Sequence, residues 1–142
     1  MTDIESRLDA LYASLEAPAC NDGCTKCCSQ VPMLPVEADR LGLDYCATPS
    51  VDSVCAYAIG GKCTVYDNRP FICRVFNAVS EGCMLCPEMS CHGKLSNDEY
   101  EGLFAEYMAI LELHSDDDKA KFEIAWEESR SVMAERAIAN GW

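Results

Sequence analysis

The sequence is poor in basic residues and in long apolar runs, and each shortage excludes a class of partner. Its 142 residues include 11 lysines and arginines against 24 aspartates and glutamates, which gives a formal net charge of −13. Nucleic-acid binding needs cations that displace the counterions of the phosphates, so this charge argues against nucleic acid and also against anionic membrane surfaces. No segment approaches the roughly 18 consecutive apolar residues of a membrane span. We therefore expect neither nucleic acid nor membrane as a partner.

Signatures of catalysis are also scarce. The chain has only two histidines, and it contains neither an evident Ser-His-Asp set nor a glycine-rich phosphate loop. We therefore assign no catalytic residue, and an enzyme using a reactive thiol or an open metal site is the least favoured function class.

Cysteine, by contrast, is abundant. Eleven of the 142 residues are cysteine, which is near the level that marks a cysteine-scaffolded chain. The first 17 residues lack the basic and continuous apolar regions of a secretory signal, so we predict a cytoplasmic protein whose thiols stay reduced. An odd number of cysteines also cannot be fully paired in disulfides. These points favour thiolate ligands of a metal over a disulfide framework.

Both ends of the chain carry helical patterns. Apolar residues at helical spacing predict a helix over residues 2–16, and Thr2 with Glu5 fits a capping box at its start. Near the other end, a second helix is predicted over residues 96–113 and a third from Ser115. These last two helices are expected to form a helical hairpin.

The central segment, residues 20–93, differs in composition, because it holds all eleven cysteines and five of the six prolines. Only Pro35 to about Leu43 looks helical there, and Gly60-Gly61 favours a hairpin within residues 55–66. We expect a metal core, rather than apolar burial, to organise this segment. The predicted fold is mainly α: one small helical domain with a cysteine-rich, loop-dominated metal-binding centre and a C-terminal helical hairpin. Its three parts are residues 1–19, 20–93 and 94–142.

The cysteines fall into three clusters, with Cys46 standing apart as a predicted structural thiol. Two of the clusters contain C-x2-C, the spacing with which a tight turn lets two thiolates grip one ion. The first cluster ends in two adjacent cysteines, which point different ways and therefore suit two different centres, or one ligand and one packed thiol. We predict ten metal ligands: Cys20, Cys24, Cys27, Cys28, Cys55, Cys63, Cys73, Cys83, Cys86 and Cys91.

Two arginines flank the last cysteine of the second cluster. Asn68-Arg69-Pro70 predicts a turn that aims Cys73 back at the first cluster, because a residue before proline is pushed out of the helical region. Arg69 would donate hydrogen bonds to backbone carbonyls or to thiolate sulfurs. Arg74 would depress the thiol pKa of Cys73 and offset the charge of a thiolate cluster, or else form a surface salt bridge.

These motifs resemble the YkgJ-type cysteine-cluster family, which is described as a zinc- or iron-chelating domain. The resemblance is carried by C-x3-C-x2-C-C at residues 20–28, by Cys55, and by Cys63-Thr-Val-Tyr-Asp-Asn-Arg-Pro-Phe-Ile-Cys-Arg over residues 63–74. It covers about residues 20–76, with Cys83 as a further member, and it does not include the terminal helices. It implies metal chelation by these cysteines and leaves the metal and the biological role open.

Two identities of the metal stay open. The nearly all-sulfur ligand set, the spacing of the first cluster and the partly iron-chelating description of the family favour one or two iron–sulfur clusters, [4Fe–4S] above all. Such a protein would transfer electrons, or handle metal ions or clusters, with a redox or acceptor protein as partner. The alternative is zinc in four-cysteine sites of a structural or interaction module.

Overall fold

The structure, a computed structural model, describes residues 2–15, 28–78, 95–139 and 141. Within these residues the chain is mainly helical, which confirms the predicted fold class. The elements in chain order are α1 (Asp3–Ala13), α2 (Pro35–Arg40), β1 (Ser50–Val51), β2 (Val54–Cys55), β3 (Ala58–Ile59), β4 (Lys62–Cys63), a 3₁₀ turn (Tyr66–Asn68), α3 (Phe71–Ala78), α4 (Asn97–Leu111) and α5 (Asp116–Ala139).

The predicted helix starts rest on side-chain caps. The Thr2 hydroxyl accepts a hydrogen bond from the Glu5 backbone N–H at 3.2 Å, and Ser96 does the same for Glu99 at 3.2 Å. In both boxes the glutamate reaches back to the backbone N–H of the cap residue. Because the first N–H groups of a helix have no partner inside it, these caps fix where α1 and α4 begin.

The main core is shared between the terminal helices and the central segment, which differs from the expectation that a metal alone organises the centre. α1 and α4 pack together, and α2 packs on α5. The central segment contributes Val31, Met33, Leu34 and Phe71, all at most 1% exposed. Each such side chain contributes roughly 1.5–3 kcal/mol by burial. Apolar packing therefore already organises much of the centre.

One helix was not predicted. The segment around Cys73 was expected only to turn, but α3 begins at Phe71, directly after Pro70. Its aromatic and β-branched residues have modest helix propensity, so the sequence pattern alone is weak. Packing decides the structure: the Phe71 ring stacks on Tyr107 with centroids 4.3 Å apart, and Val75 is 5% exposed.

Two small hairpins follow one another between α2 and the 3₁₀ turn. The predicted hairpin is β3–β4, whose turn residues Gly60 and Gly61 have φ of +62° and +78°. The unpredicted hairpin is β1–β2, where Asp52 and Ser53 take φ of +52° and +66°. Two-residue turns with positive φ match the natural twist of paired strands. The first hairpin escaped prediction because it makes this turn without glycine.

α4 and α5 form the predicted C-terminal hairpin. Phe104 on α4 and Trp126 on α5 contact each other, with ring centroids 5.9 Å apart. The apolar stripe of α5 is interrupted by Ser129, which is fully buried. Its hydroxyl accepts a hydrogen bond from Gln30 Nε2 at 3.2 Å. Ser129 therefore binds α5 to the segment that follows Cys28.

Candidate metal centre

Four of the predicted ligands lie on separate parts of the chain but within electrostatic range of one another. Cys28 precedes the central core segment, Cys55 ends β2, Cys63 ends β4 and Cys73 lies in the first turn of α3. Cys28, Cys55 and Cys63 are each close enough to Cys73 to raise the pKa of its thiol, after burial as the main cause. The Cys55 backbone N–H also donates to the Cys28 carbonyl oxygen at 3.4 Å. We call these four residues the thiol site.

The two hairpins present their cysteines in the same way. Each cysteine closes its hairpin, with Cys55 opposite Ser50 and Cys63 opposite Ala58. Burial raises the pKa of both thiols, and a hydrogen bond to the sulfur from the backbone N–H two residues later acts against this rise. The donors are Tyr57 for Cys55 and Val65 for Cys63. Such N–H···S bonds favour the thiolate, which is the form that binds metal.

Cationic and dipolar groups also face the site. Arg69 lowers the thiol pKa of both Cys63 and Cys73, against the larger effect of burial. Its guanidinium lies 3.8 Å from the centre of the Tyr66 ring and its Nε donates to the Tyr66 carbonyl oxygen at 3.0 Å. Cys73 also lies at the amino-terminal end of α3, where the helix dipole favours negative charge.

Arg74 contacts different groups from those that Arg69 contacts. Its Nε donates to the Arg69 carbonyl oxygen at 2.7 Å, and an Nη donates to the Asp67 carbonyl oxygen at 3.1 Å. Its guanidinium lies 4.0 Å from the centre of the Tyr12 ring. Arg74 therefore ties the turn before Cys73 to α3 and to α1, and both of these hydrogen bonds go to backbone oxygens.

Burial is the largest influence on the thiols of the site. It raises the pKa of Cys55, Cys63 and Cys73 above the ordinary thiol value of 9.0. Without a metal these thiols are protonated at neutral pH, so loading the site with a metal must release protons.

A buried carboxyl group, Glu37, supports the site from inside the core and was not predicted. It is 2% exposed, and Tyr12 donates a short hydrogen bond to its Oε2. The Tyr107 hydroxyl and the Leu34 N–H donate to Oε1 at 2.6 and 2.9 Å, and the Phe71 N–H donates to Oε2 at 2.6 Å. Because Phe71 begins α3, Glu37 fixes the start of the helix that carries Cys73. The sequence feature that could have identified Glu37 is its place two residues after Pro35, at the third position of a predicted helix.

Cys46 lies apart from the thiol site. It is 3% exposed and packs with Ala47 and Ala125. Burial, together with the charge of Asp118, raises its pKa to about 11, and Lys121 lowers it. The position agrees with the predicted structural thiol.

The other six predicted ligands, Cys20, Cys24, Cys27, Cys83, Cys86 and Cys91, lie outside the described residues. Within the described ranges, no three histidine, cysteine, aspartate or glutamate side chains are spaced to hold one metal ion. No helix in that part of the chain is both long and apolar enough to cross a membrane.

Comparison with known proteins yields no relative. No family model matches the chain, and neither a curated protein nor a solved structure matches it significantly. The resemblance to the YkgJ-type family therefore stays a prediction carried by the motifs alone.

Proposed function

We propose that this chain is a cytoplasmic metal-binding protein that holds one or two iron–sulfur clusters through cysteine thiolates. The observation that carries the proposal is that Cys28, Cys55, Cys63 and Cys73, from four separate segments, lie within electrostatic range of one another. Apolar burial alone gives no reason for four thiols to lie near one another, and burying them raises the cost of ionising each one. A metal that binds thiolates compensates for that cost.

The surroundings of the thiols fit such a group. The donor set is all sulfur, which suits iron–sulfur clusters and zinc. Backbone N–H groups bond to the sulfurs of Cys55 and Cys63, and the Arg69 cation faces Cys63 and Cys73. These groups stabilise the negative charge that a thiolate-bound cluster carries.

A bound cluster would supply one-electron chemistry, and the role we propose is electron transfer or the handling of metal ions and clusters. The protein's part is to hold the ligands and to limit their contact with water. The partner would be a redox or acceptor protein. The acidic surface of α4 and α5, within a chain of net charge −13, suits a partner with a basic face.

A second candidate is a zinc module, and the paired hairpins favour it. Cys55 and Cys63 each sit at the end of a tight hairpin with an N–H···S bond two residues later. That arrangement also serves a tetrahedral four-thiolate site, in which zinc would be structural.

The assignment of ligands is tested by replacing single cysteines with serine. We expect Cys55→Ser and Cys63→Ser to lose the equivalent of one centre in metal content after anaerobic purification. The matched control is Cys46→Ser, which changes the same atom at a buried position outside the thiol site and should keep full metal content. Full metal in both site variants, or loss in the control as large as theirs, would show that the thiol site is not the ligand set.

A further inference from the structure

Gln30 carries a buried amide that bridges three parts of the molecule close to the thiol site. It is 7% exposed, and its Oε1 accepts a hydrogen bond from the Ser50 hydroxyl at 3.1 Å. Its Nε2 donates to Glu128 Oε1 and to the Ser129 hydroxyl on α5, each at 3.2 Å. Because a carboxylate only accepts hydrogen bonds, Glu128 fixes which end of the amide faces α5 and which faces Ser50.

Two of the parts joined by this bridge carry a predicted ligand. Gln30 lies two residues after Cys28 in the chain. Ser50 is the cross-strand partner of Cys55 in the β1–β2 hairpin. The amide of Gln30 therefore links the segment of one ligand to the strand opposite another, and α5 anchors the link from the third side.

Backbone hydrogen bonds flank the bridge on both sides. On the side away from the site, the Thr48 N–H donates to the Val31 carbonyl oxygen at 3.0 Å, an ordinary length. On the ligand side, the Cys55 N–H donates to the Cys28 carbonyl oxygen at 3.4 Å. That bond is longer than the roughly 2.9–3.0 Å usual for N–H···O, so it holds the two ligand segments weakly by itself.

We propose that Gln30 is a positioning residue of the thiol site, whose side-chain amide fixes the spacing of Cys28 and Cys55 and anchors this pair on α5. The inference rests on the proposed function, because a fixed spacing supports metal binding only if the two sulfurs hold one centre. Ligands that are already in place lose less conformational freedom when the metal binds, so the site holds its metal longer.

The test compares Gln30→Met with Ile110→Val. Gln30→Met keeps the length of the side chain but cannot donate to α5. Ile110 is fully buried in α4, and Ile110→Val lowers overall stability without touching the bridge. A milder variant, Ser50→Ala, removes only the hydrogen bond between the bridge and β1. Each full-length protein is reconstituted anaerobically with iron and sulfide, or with zinc if the wild type takes zinc.

The first readout is the rate of metal release to a chelator. We expect Gln30→Met to release metal about tenfold faster than the wild type, as for the loss of other groups that support a ligand. Ser50→Ala should change the rate in the same direction by a smaller factor. Ile110→Val should release metal at the wild-type rate although it is less stable.

The second readout is hydrogen exchange of the Cys55 backbone amide in the metal-free proteins. It should be about fivefold faster in Gln30→Met, which is the effect of one lost hydrogen bond on a local opening. In Ile110→Val it should match the wild type. Equal acceleration in both variants would show that this segment opens only with the whole molecule and that Gln30 has no separate role.

Failure of the inference and failure of the proposed function give different results. If the wild type binds metal and both Gln30→Met and Ser50→Ala release it at the wild-type rate, Gln30 only packs the core, and the inference alone is overturned. If the wild type takes up neither iron nor zinc, the proposed function fails and the positioning role of Gln30 fails with it.

Discussion

Glu37 shows at the scale of one residue how the fold supports the thiol site. Burial raises the pKa of this carboxyl group, while its four hydrogen bonds act in the opposite direction. Two of the donors are tyrosine hydroxyls from α1 and α4, and two are backbone N–H groups at the starts of α2 and α3. All four partners donate to the carboxyl oxygens, so these hydrogen bonds favour the ionised form of Glu37, whose oxygens only accept.

Replacing Glu37 with glutamine should destabilise the protein. The amide nitrogen cannot accept a hydrogen bond, so one of the two backbone N–H groups is left buried without a partner. This costs about 1–3 kcal/mol of unfolding free energy, which urea unfolding of the metal-free protein would measure. The matched control is Glu123→Gln on the exposed face of α5, which should change little. Equal effects of the two substitutions would contradict the role given to Glu37.

The buried thiol of Cys46 should lower the free energy of unfolding at alkaline pH. Its pKa in the folded protein is about 11, above the ordinary 9.0. The folded state therefore holds this proton more tightly than the unfolded state, and the resulting stability is present below pH 9 and lost as the pH rises through about 11. The loss amounts to about 2–3 kcal/mol.

Unfolding of the metal-free wild type and of Cys46→Ala at pH 8 and pH 11 would test this pH dependence. We expect the wild type to lose more stability than the variant between these two pH values. A parallel loss in both proteins would show that other groups cause the alkaline destabilisation.

At the scale of the elements, the sequence predicted structure where the signal is local. The capping residues Thr2 and Ser96 and the helical periodicity placed α1, α4 and α5, and Gly60-Gly61 placed one hairpin. α3 and the β1–β2 hairpin were missed, because stacking of Phe71 on Tyr107 and positive φ at Asp52 and Ser53 depend on the surrounding structure. The cysteine spacings predicted ten candidate ligands, but which cysteines lie near one another depends on the tertiary fold.

Two glycine-to-alanine substitutions, one in the turn of the β3–β4 hairpin and one inside α4, should have opposite effects on stability. Gly60 has φ of +62° and open space around its Cβ position, so Gly60→Ala strains only the backbone. The strain should cost about 1–2 kcal/mol of unfolding free energy. Gly102 lies inside α4, also with open space, so Gly102→Ala should stabilise by about 0.5–1 kcal/mol. Destabilisation by both, or by neither, in denaturant unfolding would contradict these backbone assignments.

At the scale of the whole molecule, the apolar core and the thiol site share elements. α3 places Phe71 in the core and Cys73 in the site, and the segment after Cys28 places Val31 in the core. The described part of the chain therefore has a core of its own, and a metal bound as proposed would add stability to it. Ligand binding to the folded state alone stabilises it by mass action.

We expect removal of the metal by a chelator to lower the midpoint of thermal unfolding while the helical content is largely kept, as circular dichroism would report. Complete loss of helix on chelation would contradict a core that stands without metal.

The central claim is that the thiol site binds a metal centre through thiolates. It is tested most directly by the iron, zinc and acid-labile sulfide content per chain of wild-type protein purified without oxygen. We expect iron and sulfide in equal amounts, as in a cubane cluster, with absorbance in the visible range. Stoichiometric zinc without sulfide would support the second candidate instead. A chain that carries neither iron nor zinc, and takes up neither on reconstitution, would contradict the claim.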